Sequence, residues 1–307
     1  MGPENGINLN EVNYFPITDY VKKIHLHDYL LEHMEETNQE FDKYFRYLSK
    51  FDEYAILTWF IEMFNKELVF SNAIEKNHII NPEKINKEDV FFNTLQISHN
   101  RIKILHQFVT EGQEDYEYRK GEIRVSSMLP TGEEIIYWKG VNPADLKQFM
   151  DDYISLYKTN SLSVLNTNPF FKSALMHLLF VRIHPFSDGN GRTARMIHNM
   201  CFTESINNIY KMKLKICPLN LSQSILLNQF TYAKRINDIY FDLEHDCNDE
   251  INKWFDFILN MVDEQLFFWQ KRLPELESSF ERISTMKNTD TSDLPQKAKQ
   301  IKKLTRN

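Results

Sequence analysis

Residues 184–195 read His184-Pro185-Phe186-Ser187-Asp188-Gly189-Asn190-Gly191-Arg192-Thr193-Ala194-Arg195. The run before them, Phe170 to Ile183 (FFKSALMHLLFVRI), is apolar nearly all round and lacks glycine and proline, the pattern of a buried helix. Pro185 stops it, because a residue preceding proline is pushed out of the helical region. Gly189 and Gly191 permit positive φ and close backbone approach, so consecutive N–H groups can turn inward as an anion nest where the next helix starts, near Gly191. Arg192 and Arg195, three apart, lie on one face of that helix within reach of one polyphosphate. The stretch predicts helix, phosphate-sized loop, helix.

The residue types suit one chemistry. Amide N–H groups at a helix N-terminus hold phosphate oxygens, and Asp188 offers the hard oxygen that Mg²⁺ takes when it bridges phosphates. His184 is the nearby group with a pKa suited to general-base work at neutral pH. Taken singly, His184 would read as a helix-end histidine and the two arginines as a solvated face. Together they point to transfer from a metal-bound nucleotide to a hydroxyl, a displacement that needs positioning and charge neutralisation rather than covalent catalysis. Phe186 reads as a packing anchor beneath the loop.

The stretch resembles the signature of the Fic (Fic/Doc) family, HPFx(D/E)GNGRxxR, and matches every fixed position: His184, Pro185, Phe186, Asp188, Gly189, Asn190, Gly191, Arg192 and Arg195. The resemblance implies that His184 deprotonates a target hydroxyl, that Asp188 binds Mg²⁺, and that the Gly189-Asn190-Gly191 backbone holds phosphate. Arg192 and Arg195 would engage the outer phosphates. It further implies a protein adenylyltransferase that moves AMP from ATP to a Ser, Thr or Tyr hydroxyl. Removal of AMP by the same site, transfer of another phosphate-containing group, and a catalytically silent interaction scaffold stay open as alternatives.

Upstream, Phe51 to Lys76 reads as a long amphipathic helix ending in Ser71-Asn72-Ala73-Ile74-Glu75. Self-regulating Fic proteins carry an inhibitory helix with the pattern (S/T)xxxE(G/N), which Ser71 and Glu75 resemble; Lys76 departs from its last position. A Glu75 carboxylate lying over the site would make a bidentate, charge-assisted bond to Arg195 and withhold it from the γ-phosphate. The competing reading is a capped and solvated helix end.

Composition bounds the rest. With 307 residues, 42% hydrophobic and 26% charged, the chain is an ordinary globular protein, and 8 glycines and 10 prolines favour helices. The expected fold is mostly α, a Fic-type helical bundle with a small β-hairpin flap. A formal net charge of −7 argues against nucleic acid as a partner. Cys201, Cys217 and Cys247 show neither disulfide nor metal spacing. No apolar run reaches membrane length, and the start, MGPENGINLN, lacks the features of a secretion signal, so a cytoplasmic protein is expected.

In chain order, Asn13-Tyr14-Phe15-Pro16 reads as a docking segment, and Tyr20 to Met34 and Phe41 to about Lys50 show helical spacing. His25, His27 and His33 read as surface or core histidines, not zinc ligands. Residues 81–89 read as a loop and Ile97 to Val109 as a helix. Gly121 to Val125 and Glu134 to Trp138 flank Pro130-Thr131-Gly132 as a hairpin. The resemblance makes this 121–138 hairpin a flap that holds the target protein by strand addition; a plain surface hairpin is the alternative.

Val141 to Asp145 opens a helix, Lys158 to Asn168 reads as a polar loop, and Leu221 to about Tyr240 and Glu250 to Lys271 are helical. Tyr232 lies where Fic proteins often place an aromatic near the base, although a core tyrosine fits as well. The tail from Ser284, ending KAKQIKKLTRN, reads as a basic disordered segment or a short amphipathic helix. Three regions result: an N-terminal helical region over 1–89 with the inhibitory helix at about 51–77, a Fic domain over 90–265, and a C-terminal helix end with a basic tail over 266–307. A homo-oligomer is compatible with all of this.

Overall fold

A computed structural model describes residues 12–51, 53–75, 97–112, 114–158, 168–210, 214 and 217–287. The loop expected at 81–89, residues 159–167 of the loop expected from Lys158 to Asn168, and residues 288–307 of the tail expected from Ser284 lie outside the described residues. Ten helices and one hairpin are described: α1 (Ile17–Lys22), α2 (Asp28–Leu48), α3 (Glu53–Ile74), α4 (His99–Val109), β1 (Arg124–Met128), β2 (Glu134–Lys139), α5 (Leu146–Lys158), α6 (Pro169–Ile183), α7 (Asn190–Tyr210), α8 (Leu221–Leu227), α9 (Gln229–Asn237) and α10 (Asn248–Lys287). Among the described residues no helix is long and apolar enough to cross a membrane.

The centre is α6, whose every residue except Lys172 is buried. Asn168 caps it, its Oδ1 accepting from Phe170 N (2.9 Å) and Phe171 N (3.2 Å), and Pro169 occupies the first turn where its missing N–H costs nothing. Phe170, Phe171, Leu178, Leu179 and Phe180 are almost wholly inaccessible, and each contributes roughly 1.5–3 kcal/mol by burial. The neighbours are α7 along one side, α5 and α10 on others. Trp254 of α10 reaches in and donates Nε1–H to Ala174 O at 3.0 Å. The N-terminal segment docks as expected: Phe15 sits edge-on to Phe149 and Phe241, and Tyr14 N donates to Asp145 Oδ2 at 3.0 Å.

Several boundaries differ from the periodicity. Tyr20 to Met34 is not one helix, because Lys23 to His27 break out of it. There His25 N and His27 N donate to the side chains of Asn248 and Asn252 instead of to a preceding turn. Beyond the break α2 runs unbroken to Leu48. The helix expected to open at Val141 starts at Leu146, since Asn142 Oδ1 takes the Ala144 N–H in a tight turn. Asn228 divides the stretch expected to be helical from Leu221 to Tyr240. The last helix continues past Lys271 through Pro274 to Lys287; beyond the proline Phe280 is buried against Phe51 and Trp59, so packing outweighs one lost backbone bond.

The strands pair antiparallel from Arg124↔Lys139 to Met128↔Glu134, with a bulge between Val125 and Ser126. Gly132 turns the hairpin at φ +83°. Trp138 anchors it, its ring buried and its Nε1–H donated to Asn237 Oδ1 at 3.1 Å.

His33 clips α2 to α10, with Nδ1 3.0 Å from Asp256 Oδ1 and Nε2 2.7 Å from Asp263 Oδ2. Burial works against its charged form, but the hydrogen bonds and charges of Asp263 and Asp256 outweigh it and raise the pKa. The contribution is therefore complete below the free value of about 6.5 and is lost as pH rises through the raised folded value. Melts of wild type and His33→Gln between pH 5.5 and 9 should differ by about 0.5–1 kcal/mol at the acid end and converge at the alkaline end.

Candidate active site

His184 ends α6 in the left-handed conformation, φ 54° and ψ 63°. Its Nδ1 lies 3.1 Å from Val181 O, which fixes the tautomer: Nδ1–H donates, and Nε2 is left as an acceptor. Burial pulls its pKa down to about 4, with Arg119 and Arg182 adding to the effect and Val181 O opposing it. The imidazole is neutral at physiological pH. Trp138 of the hairpin meets it edge to face at 5.4 Å, and Arg182 covers the Trp138 ring at 4.2 Å.

Arg119 holds this backbone corner from beneath. Its guanidinium donates to His184 O (2.7 Å), Gly121 O (2.8 Å) and Val141 O (2.6 Å), with Ile183 O at 3.5 Å, and its own N–H donates to Pro185 O at 2.9 Å. It thereby satisfies carbonyls that α6 leaves open at its C-terminus, where a cation is also favoured by the helix dipole. Burial lowers its pKa to about 10, so it stays charged.

The loop after His184 is built from inside. Phe186 stacks on His106 of α4, ring centroids 3.7 Å apart. Asn190 closes a ring with Phe186: its Oδ1 accepts from Phe186 N (2.9 Å) and its Nδ2 donates to Phe186 O (2.8 Å). The Asn190 side chain thus staples the loop, leaving backbone rather than amide for a phosphate. Gly189 is required by the turn, since its φ is +73° and an added methyl would lie 2.6 Å from Thr110 Cγ2. Burial keeps His106 neutral, with Nε2–H donated to Asp188 O at 3.0 Å.

The two arginines part company. Arg192 reaches back to Asp188 Oδ2 (3.1 Å) and Val109 O (3.2 Å). Arg195 instead donates from Nε to Ser71 Oγ, from Nη2 to Ser71 O and to Glu75 Oε1, each at 2.8 Å, and from Nη1 to Tyr232 OH at 3.4 Å. One shared polyphosphate face is therefore not what the structure presents. The Glu75–Arg195 contact is present, though through one carboxylate oxygen where a bidentate pair was expected; Ser71 takes Nε and shares Nη2, and Tyr232 takes Nη1. That oxygen also rests on the start of α7, since a methyl on Gly191 would come within 2.3 Å of it.

Residues 96–202 match the family model described as Fic/DOC. The chain contains a Fic domain. Over 121 residues it is 32% identical to the protein adenylyltransferase Fic of Aedes aegypti, and over 120 residues 31% identical to that of Drosophila melanogaster. Each alignment takes in 39% of this chain and 21% of the relative, so the chain spans about a fifth of the length of these curated relatives. The fold is similar to that of a Fic family protein from Desulfovibrio desulfuricans G20, with TM-score 0.53 and 16% identity over 84% of this chain and 77% of that one.

The matched Fic domain holds His184, Asp188, Gly189, Asn190, Gly191, Arg192 and Arg195, whereas α3, with Ser71 and Glu75, and Tyr232 of α9 come from outside residues 96–202. Tyr232 is buried with its hydroxyl between Arg195 and His177 Nε2 (2.9 Å). Arg119 and His106 are the contributors missed in the sequence. A polar residue at a core position of a helix, as His106 is between Leu105 and Phe108, was the available signal for one of them. Arg119 carries none, since all but one of its carbonyl partners are distant in sequence.

Proposed function

We propose that this chain is a protein adenylyltransferase held in check by its own α3. The observation that carries the reading is the joint placement of a neutral His184 whose Nε2 has no hydrogen-bond partner among the described residues and a Glu75 carboxylate seated on Arg195 and Gly191, where an anion would bind. The names of the relatives, protein adenylyltransferase Fic, support the same reaction class.

In this reading the loop N–H groups and Arg195 receive the triphosphate of ATP, and Arg195 must exchange Glu75 for it. Asp188 fits a Mg²⁺ site of the kind that phosphates and water complete: its carboxylate is exposed, with one oxygen on Arg192. Bound there, the metal would neutralise phosphate charge. A target hydroxyl oxygen attacks the α-phosphorus, pyrophosphate leaves, and His184 Nε2 takes the hydroxyl proton. The target would be a protein segment laid along the 121–138 hairpin.

The test incubates wild type, Glu75→Gly, and Glu75→Gly with His184→Ala in Mg²⁺ and α- or γ-labelled ATP. Label from the α position only, strongest in the single variant and about 10²–10⁴-fold lower in the double, is expected. The single variant's rate should be level above about pH 6, because His184 is already neutral there. Label from the γ position would mean phosphorylation. No label, with no thermal shift by ATP and Mg²⁺ in any variant, would favour a scaffold; a shift without label would favour another donor or removal of AMP.

A further inference from the structure

The face of α3 that meets α7 carries Glu67 and Ser71, and Glu75, directly after its last residue, continues the same four-residue step. They meet Asn199, Arg195 and Gly191, four-residue steps of α7 in the opposite direction. Residues four apart stack on one helix face, so the two polar rows run alongside each other rung by rung. The upper rungs hold Arg195. The lowest does not touch the site, and it is the most completely bonded.

Glu67 is 4% exposed. Its Oε1 accepts from Asn199 Nδ2 (3.1 Å) and Ser222 Oγ (2.5 Å), and its Oε2 accepts from Ser222 N (3.0 Å) at the start of α8. Three donors from two other helices thus converge on one carboxylate. Burying a carboxylate is costly before its bonds are counted, and burial does raise the Glu67 pKa against the pull of Ser222, Asn199 and Arg195. An apolar side chain would fill the space at less cost. What the carboxylate supplies is register: sliding or rotating α3 by one residue would part it from all three donors, and neither adjacent residue, Lys66 or Leu68, has an acceptor to put in its place.

Eight residues of helix separate Glu67 from Glu75, about 12 Å. We propose that Glu67 is a positioning residue that fixes α3 on α7 and α8 and so delivers Glu75 to Arg195 and Gly191. Glu75 is then released by movement of the helix end beyond a fixed foot, not by departure of the whole helix. The functional half of this inference rests on Glu75 being inhibitory; the positional half does not.

The experiment uses the full chain with Glu67→Gln, which keeps the shape and turns one acceptor into a donor, and Glu67→Ala as the stronger variant. Amide hydrogen exchange should rise at 71–75 and 190–195 in both and stay unchanged in α6. Mg-ATP affinity, measured by calorimetry, should rise about three- to tenfold in Glu67→Gln, the size expected when one hydrogen bond's worth of seating is lost. Added to Glu75→Gly, the same change should do nothing further, because the seat it serves is already empty.

Unchanged exchange at 71–75 in both Glu67 variants overturns the proposal. So does an affinity gain that persists undiminished on top of Glu75→Gly, or a drop in melting temperature spread evenly over the fold with no local exchange. Local exchange with no gain in affinity from Glu67→Gln or from Glu75→Gly supports the positioning role and overturns the inhibitory reading of Glu75.

Discussion

Gly191→Ala is expected to fold as wild type does and yet, placed on Glu75→Gly, to cut Mg-ATP affinity by about 10²-fold, the order seen when a reacting group is misplaced by an ångström. The new methyl would stand 2.3 Å from Glu75 Oε1 and 3.2 Å from Arg195 Nη1. In the otherwise native chain the first clash is with the tip of a flexible, partly exposed side chain, which swings out. Gly191 lies inside α7 without positive φ, so alanine there should also add up to about 1 kcal/mol of helix stability. Folding gains slightly while the anion seat closes. Calorimetry on Glu75→Gly with and without Gly191→Ala decides the matter: equal affinities would mean that phosphate does not occupy the place of the Glu75 carboxylate.

The same region shows what a sequence can and cannot yield. The α6–loop–α7 unit was legible because each of its signals is local: an apolar run without breakers, a proline stop, glycines at a turn. The hairpin was legible for the same reason. The pairing of Glu75 with Arg195 came from the resemblance to the inhibitory pattern of self-regulating Fic proteins, and the Ser71 bonds to Arg195 were not part of it. The direction taken by each arginine was not legible. Arg192 and Arg195 share a helix face by spacing, but Asp188 and Val109 draw one guanidinium toward α4, and Ser71, Glu75 and Tyr232 draw the other toward α3 and α9.

Helix ends were lost where a distant side chain competes for backbone. Asn248 and Asn252 take the N–H groups of His25 and His27, and no window around residue 25 contains that information. Conversely, Pro274 would end a helix judged alone, yet α10 continues because Phe280 has a pocket to fill. Glu67 stands between these cases. Its spacing to Ser71 and Glu75 was visible, while its burial and its Ser222 partner were not.

Arg119→Lys is expected to separate binding from chemistry. The hydrogen bonds of Arg119 go to the carbonyls of His184, Gly121 and Val141, not into the 188–195 segment, and so hold the corner that aims the imidazole. A lysine keeps the charge but has one ammonium where the guanidinium has a planar fork, so it cannot serve three carbonyls in different directions. Those left without a donor should cost roughly 1–3 kcal/mol each, reduced where water can enter. On Glu75→Gly, label transfer should fall about 10²-fold, since a small misplacement of a catalytic group has that effect. Mg-ATP affinity should stay within about threefold, because the loop that would bind phosphate is braced by other residues, Asn190 and His106. A parallel fall in transfer and affinity would show that Arg119 supports the whole loop, and unchanged transfer would show that the His184 corner holds without it.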